Sequence, residues 1–218
     1  MVNHRPLSAA LGVMLASSCI GLAGCAGGGA LGLGMFSGGA GDATIISTAE
    51  STRLDASFRT AVYTFVDENT ADLFFTDLSS EQLDAIIAGE DRSEVAPDGA
   101  QILHVHLFLT PRAGRTPIEF SASNVTLSHY VLAGDAIGIY GGGGFLLPSR
   151  VFTREPGADR FGGQMREATV RFLTATPGFN DRIGSGVLNG TLNARLDPKM
   201  SERFSRLLSA FSRAAGRI

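Results

Sequence analysis

Short segments of alternating apolar and polar residues recur from about residue 43 onward, and they constrain the fold more than any other feature. In Gln101–Thr110 every second residue from Leu103 to Leu109 is a large aliphatic residue. Because successive side chains of a strand point to opposite faces, this pattern predicts a strand with one buried face. Further strand-like segments are Phe58–Val66, Ala71–Leu78, Ile118–Leu132, Ile137–Tyr140, Phe145–Thr153, Glu167–Thr176 and Gly186–Leu196. Many short strands with few helices predict a mainly β fold, either an antiparallel β-sandwich or a partly open barrel.

Two segments are predicted to be helices. Residues 79–88 form a short one, since Ser79 and Gln82 have the spacing of a capping box and Gly89 is placed to end the helix. Residues 198–214 form a C-terminal amphipathic helix, with Asp197 as its N-cap and Pro198 at its first position.

One face of the C-terminal helix is apolar and the rest is basic. The apolar face is formed by Met200, Phe204, Leu207, Leu208 and Phe211. The basic residues are Lys199, Arg203, Arg206, Arg213 and Arg217. We expect the apolar face to pack on the sheet and the arginines to be solvated. The alternative is a helix that lies on an anionic membrane or an acidic partner.

The first 42 residues differ from the rest of the chain. Arg5 lies in a short polar head, and an uncharged apolar stretch follows from Leu7 to Leu22. This is the layout of a secretory signal peptide. From Ala26 to Asp42, eight of the 17 residues are glycine, which disfavours a continuous membrane-spanning helix, the alternative for this region. The sequence therefore divides into a signal peptide (1–24), a cysteine followed by a Gly-rich tether (25–42) and one globular domain (43–218).

The apolar stretch ends in Leu22-Ala23-Gly24-Cys25, which resembles the lipobox of bacterial lipoproteins. The resemblance covers only this region; the domain that follows is not recognised. It implies cleavage before Cys25, with Leu22, Ala23 and Gly24 recognised by the signal peptidase. It also implies a diacylglyceryl group on the Cys25 thiol and usually an acyl chain, such as palmitate, on the freed amine. Two or three acyl chains anchor a protein firmly.

The resemblance also bears on location. Ala26 follows the cysteine, where an aspartate often retains lipoproteins in the inner membrane. We therefore expect a cell-envelope protein anchored in the outer membrane and facing the periplasm or the cell surface. The net charge of −3 excludes a global basic field that would recruit nucleic acid.

His104 and His106 form the strongest candidate site in the domain. Two residues apart on a strand, they face the same way and could bind one zinc ion, with His129 as a third ligand if the strands pair suitably. His-X-His on a strand resembles part of the metal motif of cupin barrels, but the carboxylate expected after it is missing. Two half-exposed histidines on the polar face of a strand are the alternative.

Two other segments have compositions that occur in binding loops. Asp67, Glu68, Asn69 and Asp72 form an acidic turn that could bind calcium, although ordinary turn chemistry explains these residues. Gly141–Gly144 does not lead into a helix as a phosphate-binding loop does, and it is predicted to be a flexible hairpin loop.

No catalytic signature is present, and a Gly-X-Ser-X-Gly elbow is missing. The sequence favours a lipid-anchored, non-catalytic β-rich domain that binds or assembles with an envelope partner, with covalent lipid and no separate cofactor. Two alternatives stay open: a metal-dependent enzyme built on His104 and His106, and a carrier of a small apolar ligand.

Overall fold

The structure is a computed structural model that describes residues 40–111, 122–148 and 156–216. Within these ranges the elements are, in chain order, β1 (Gly41–Ser47), β2 (Arg53–Ser57), β3 (Thr60–Phe65), β4 (Ala71–Thr76), α1 (Ser80–Ala88), α2 (Arg92–Val95), β5 (Gln101–Leu107), β6 (Val125–Ala133), β7 (Ala136–Pro148), β8 (Arg160–Ala175), β9 (Ser185–Leu196) and α3 (Pro198–Ala215). None of the helices in the described ranges combines the length and apolar composition needed to span a membrane.

The strands close into a ring in the order β3-β4-β5-β6-β7-β8-β9, with β9 returning to β3. Neighbours in the ring are antiparallel except β3 and β9, which are parallel and pair at Val62–Arg195 and Tyr63–Leu196. The hairpin of β1 and β2 lies outside this order, with β1 paired to the earlier part of β9. The predicted mainly β fold is confirmed, and the strands adopt the barrel rather than the sandwich.

Alternation along the strands produces two apolar clusters, one on each side of the barrel wall. The interior cluster receives side chains from every strand of the ring, including Tyr63, Phe75 and Phe161. The exterior cluster lies beneath α1 and α3. The apolar face of α3 packs against β3, β4 and β7, so the expectation that this helix docks on the sheet is confirmed.

Both predicted helices begin as their capping residues indicate. Ser79 accepts from the backbone N–H of Gln82, and the Gln82 side chain accepts from the backbone N–H of Ser79. Gly89 ends α1 in the left-handed conformation, with φ of 94°. Asp197 accepts from the backbone N–H of Met200 at 3.0 Å and caps α3. These helices are predictable because caps are local interactions.

The prediction of a loop at Gly141–Gly144 is wrong. These residues belong to β7, which joins two segments predicted as separate strands. A Cβ at residue 142 would lie 1.8 Å from the carbonyl oxygen of Thr169, and one at 144 would lie 2.5 Å from Cβ of Ala168. The register of β7 against β8 shifts between Gly143 and Phe145. Glycine is therefore present because β8 approaches β7 closely here.

Other boundaries differ from the predictions in smaller ways. The sequence did not predict the β1–β2 hairpin, since neither strand contains a long alternating run of large apolar residues. β8 begins at Arg160, well before the predicted start at Glu167. The start of the predicted strand at 118–132 lies partly outside the described residues, and β6 begins at Val125.

Candidate functional site

The structure brings His104 and His106 of β5 together with Asp72 of β4 on the outer face of the barrel. Asp72 is directly opposite His106, and the next outward position of β4, Phe74, is opposite His104. The intervening residues of both strands point into the interior cluster. Period-two alternation thus places both imidazoles and the carboxylate on one face, as the sequence predicted for the two histidines.

Both imidazoles donate to the same carboxylate oxygen. Nε2 of His104 lies 2.8 Å and Nδ1 of His106 lies 2.9 Å from Oδ1 of Asp72. Because a carboxylate only accepts, neutral His104 carries its proton on Nε2 and neutral His106 carries its proton on Nδ1. The lone pairs are then on Nδ1 of His104 and Nε2 of His106. We refer to these three residues as the Asp72 cluster.

The Asp72 cluster is partly shielded from solvent. The side chains of Asp72 and His104 are each 26% exposed and that of His106 is 38% exposed. Burial opposes ionisation of Asp72, but the hydrogen bonds from His104 and His106 outweigh it and hold the pKa of Asp72 below its ordinary value. The carboxylate is therefore charged at neutral pH.

A stack of rings connects the Asp72 cluster to the C-terminal helix. The His104 ring lies parallel to Phe74, with centroids 4.6 Å apart. Phe74 in turn stacks on Phe204 of α3 at 5.4 Å. Since Phe74 and Phe204 are buried, docking of α3 fixes the plane of the His104 ring.

His129 does not join the other two histidines. It lies on β6 opposite Leu103, so its side chain is inside the barrel and the sheet separates it from the Asp72 cluster. Nε2 of His129 is 3.0 Å from Oε1 of Gln101, and Nδ1 has no hydrogen-bond partner within the described structure. Burial lowers the pKa of His129 to about 4, so the ring is neutral at physiological pH. The prediction that His129 is a third ligand beside His104 and His106 is therefore wrong.

The chemistry available at the Asp72 cluster is that of two imidazole lone pairs beside a carboxylate. Nitrogen and oxygen ligands of this kind suit zinc and other transition metals. As placed, however, the three side chains hydrogen-bond to one another, and no group of three or more His, Cys, Asp or Glu among the described residues is arranged to hold a metal ion. The histidine pair stays a predicted metal site, with Asp72 as the nearest carboxylate.

The sequence assigned Asp72 to the wrong neighbours. It grouped this residue with the acidic turn, whereas Asp72 contacts the histidines. In the turn itself, Oδ1 of Asp67 accepts from the backbone N–H groups of Asn69 and Thr70. That is ordinary turn chemistry, and these contacts do not suggest a calcium loop.

A second surface feature is a groove of about 430 Å³ beside the end of α1. The guanidinium of Arg92 lies 5.2 Å from the ring centroid of Phe211, and its Nη2 donates to the carbonyl oxygen of Asp135 at 2.6 Å. Glu90, Asp91, Arg92 and Asp135 are among the residues that line the groove. Nothing in the sequence singled out this groove.

No protein-family model, curated protein or solved structure gives a significant match to this chain. The residues of the predicted lipidation site, Leu22, Ala23, Gly24 and Cys25, lie outside the described residues.

Proposed function

We propose that this chain is a lipid-anchored protein of the bacterial cell envelope, held by Cys25, and that its barrel is a non-catalytic binding or assembly module. The observation that carries the proposal is the four-residue sequence Leu22-Ala23-Gly24-Cys25 at the end of an uncharged apolar stretch. A Gly-rich segment separates it from β1, as expected for a tether between an anchor and a working domain.

The barrel supports a binding role at its outer surface. Interior side chains from all seven strands of the ring pack into one apolar cluster. A carrier of a small apolar ligand would need that interior for its ligand. In the Asp72 cluster, the carboxylate oxygen is already occupied by two hydrogen bonds from the barrel's own histidines. The filled interior favours contacts made by the outside of the barrel.

Metabolic labelling with a palmitate analogue in a bacterial host tests the anchor. We expect labelled, membrane-bound protein from the wild type and none from Cys25→Ala. The chain offers a matched control, because Cys19 lies in the same apolar stretch. Cys19→Ala should be labelled like the wild type. A Cys25→Ala chain that is labelled and fractionates as the wild type does would contradict the proposal.

Crosslinking in living cells followed by mass spectrometry tests the binding role. A single envelope protein recovered in stoichiometric amount would identify an assembly partner. Recovery of no partner would favour the carrier or the metal enzyme, and extraction of lipid and metal from the same sample would then separate those two.

A metal-dependent enzyme is the second candidate, and one observation favours it. Nε2 of His104 and Nδ1 of His106 both lie within 2.9 Å of Oδ1 of Asp72, and in the opposite tautomers both nitrogens would direct their lone pairs toward this carboxylate. If this is a metal site, purified protein binds one zinc per chain and the double variant His104→Ala, His106→Ala loses it. His129→Gln is the control, since the sheet separates His129 from the Asp72 cluster. Wild-type protein that binds no zinc in titration would eliminate this candidate.

A further inference from the structure

Few contacts hold β2 in the described sheet. It stands last in the strand order, with β1 as its one strand neighbour. Of its five residues only Ala56 is buried. Outside its pairing with β1, its backbone makes one hydrogen bond among the described residues: Nε2 of Gln101 donates to the carbonyl oxygen of Asp55 at 2.8 Å. A strand with so few buried apolar contacts opens at a lower free energy than the central strands.

Gln101 connects β2 to the interior of the barrel. It is the first residue of β5, and it alternates with Leu103 and Val105, whose side chains lie in the interior cluster. While its Nε2 donates to β2, its Oε1 lies 3.0 Å from Nε2 of His129. An amide oxygen only accepts, so neutral His129 carries its proton on Nε2. We refer to the carbonyl of Asp55, the amide of Gln101 and the ring of His129 as the Gln101 latch.

The Gln101 latch accommodates a neutral imidazole only. The His129 side chain is buried, and its Nδ1 has no hydrogen-bond partner among the described residues. A proton on Nδ1 would leave a buried positive charge without an acceptor, so protonation requires water to reach the ring. Gln101 is itself buried and contacts both His129 and β2. Separation of β2 from Gln101 therefore admits water to the latch.

The charged groups around the latch do not offset the burial of an imidazolium. Burial is what lowers the pKa of His129, with no neighbouring charge among the causes. The ring of Tyr140 lies 6.1 Å from that of His129, and its hydroxyl donates to the carboxylate of Asp181 at 2.6 Å. Oδ1 of Asp77 accepts from the backbone N–H of the latch glutamine at 2.8 Å. The carboxylate of Asp55 is exposed and accepts hydrogen bonds from neighbouring surface side chains.

We infer that the Gln101 latch is an acid-sensitive fastening of β2: protonation of His129 favours a form of the folded protein in which β2 is detached from β1 and from Gln101. Detachment frees the edge of β1 at residues 42–46, which pair with β2 in the closed form. A free strand edge can add a strand from a binding partner. The latch lies within the globular domain, so it is independent of the proposed lipid anchor.

The size of the effect follows from the ring in its two environments. In the detached form His129 is hydrated and titrates with the ordinary histidine pKa of about 6.5. In the closed form burial lowers its pKa to about 4. Protonation favours the form with the higher pKa, which is the detached form. Acidification from about pH 7.5 to about pH 5 therefore raises the ratio of detached to closed protein by about 30-fold.

Hydrogen exchange of the full-length protein, corrected for the intrinsic exchange rate, measures detachment of β2. We expect the protection of the β2 amides to fall by about 30-fold between these two pH values. The fall should be the same without urea and at urea concentrations well below the unfolding transition, because local opening exposes little surface. His129→Gln removes the titrating ring and should abolish the fall. Val105→Ala is the matched control, because it perturbs the same interior cluster and keeps the ring, so it should retain the fall.

Three results overturn the inference. Protection of β2 that does not change with pH, or that falls equally in His129→Gln, shows that the ring does not control β2. A fall that increases with urea as it does for the central amides of β6 shows that His129 is hydrated only by global unfolding. Gln101→Met gives a second test, which does not depend on the folding of His129→Gln. It removes the hydrogen bond to Asp55 and should lower β2 protection at about pH 7.5 by about 2–10-fold, again without dependence on low urea. Unchanged protection of β2 in this variant is the third such result.

Discussion

Acidification from about pH 7.5 to about pH 5 should lower the free energy of unfolding by about 2 kcal/mol through one residue, His129. The side chain is 2% exposed, and burial lowers its pKa to about 4. Histidine in an unfolded chain has a pKa of about 6.5. Between these two pKa values His129 is protonated in the unfolded state but not in the folded state, so the free energy of unfolding falls as the pH falls. The stabilisation is fully present above about pH 6.5, and the total loss approaches about 3 kcal/mol near pH 4.

Urea denaturation of the purified full-length protein at both pH values measures this loss. His129→Gln removes the titrating group and should remove most of the pH dependence in this window. Val105→Ala is the control, because it perturbs the same barrel interior without removing a titrating group and should leave the pH dependence of the wild type unchanged. Each variant is compared with itself at two pH values, so the constant effect of the substitution cancels.

The carboxylates do not reproduce this signal. Those with lowered pKa, such as Asp72 and Asp181, lose their stabilising effect only at lower pH than this window. Burial raises the pKa of Asp77, so protonation of this residue stabilises the folded state as the pH falls, opposite to the effect of His129. This contribution is the same in the wild type and in both variants. If His129→Gln destabilises on acidification as much as the wild type does, the assignment of the effect to this buried ring is wrong.

Three further substitutions test the packing, all by urea denaturation of the full-length protein. Gly142→Ala should lower the free energy of unfolding by about 3 kcal/mol or more, because its Cβ would lie 1.8 Å from the carbonyl oxygen of Thr169. Gly89→Ala should lower it by only about 1–2 kcal/mol, because no atom lies within 4 Å of the added Cβ and only the left-handed backbone is unfavourable for alanine. Equal costs would refute the close approach of β8. Phe204→Ala should cost about 3–5 kcal/mol by emptying the space between α3 and the sheet, and a loss below about 1 kcal/mol would mean that the helix docks differently. Ser79→Ala should cost about 1 kcal/mol by removing the cap of α1, with no change expected if the capping box does not form.

Local patterns in the sequence predicted the parts of the fold that depend on neighbouring residues. The helix ends followed from Ser79, Gly89 and Asp197, and the strand at His104 and His106 followed from period-two alternation. The glycine run was misjudged because its cause is the approach of a strand some 25 residues later, which composition does not reveal.

The part of the candidate site that depends on one strand was predictable, and the part that depends on strand pairing was not. Alternation alone placed His104 and His106 on one face. Their contact with Asp72 depends on how β4 and β5 pair across the two helices between them, and their separation from His129 depends on the register of β5 against β6. Shifting that register by one residue would place His129 on the other face. A single sequence contains no measure of this register.

The parallel pairing of β3 with β9 makes closure of the barrel depend on residues far apart in the chain. Val62 and Arg195 are near opposite ends of the described chain, and their pairing closes the ring. Such long-range closure makes folding slow, because chain entropy is lost before the contacts that compensate for it exist. Until β9 pairs, β3 and β8 each have an edge without its final partner, and unpaired edges promote aggregation. Intermediates in which β9 has not yet paired with β3 are therefore the states of this domain most exposed to aggregation and proteolysis.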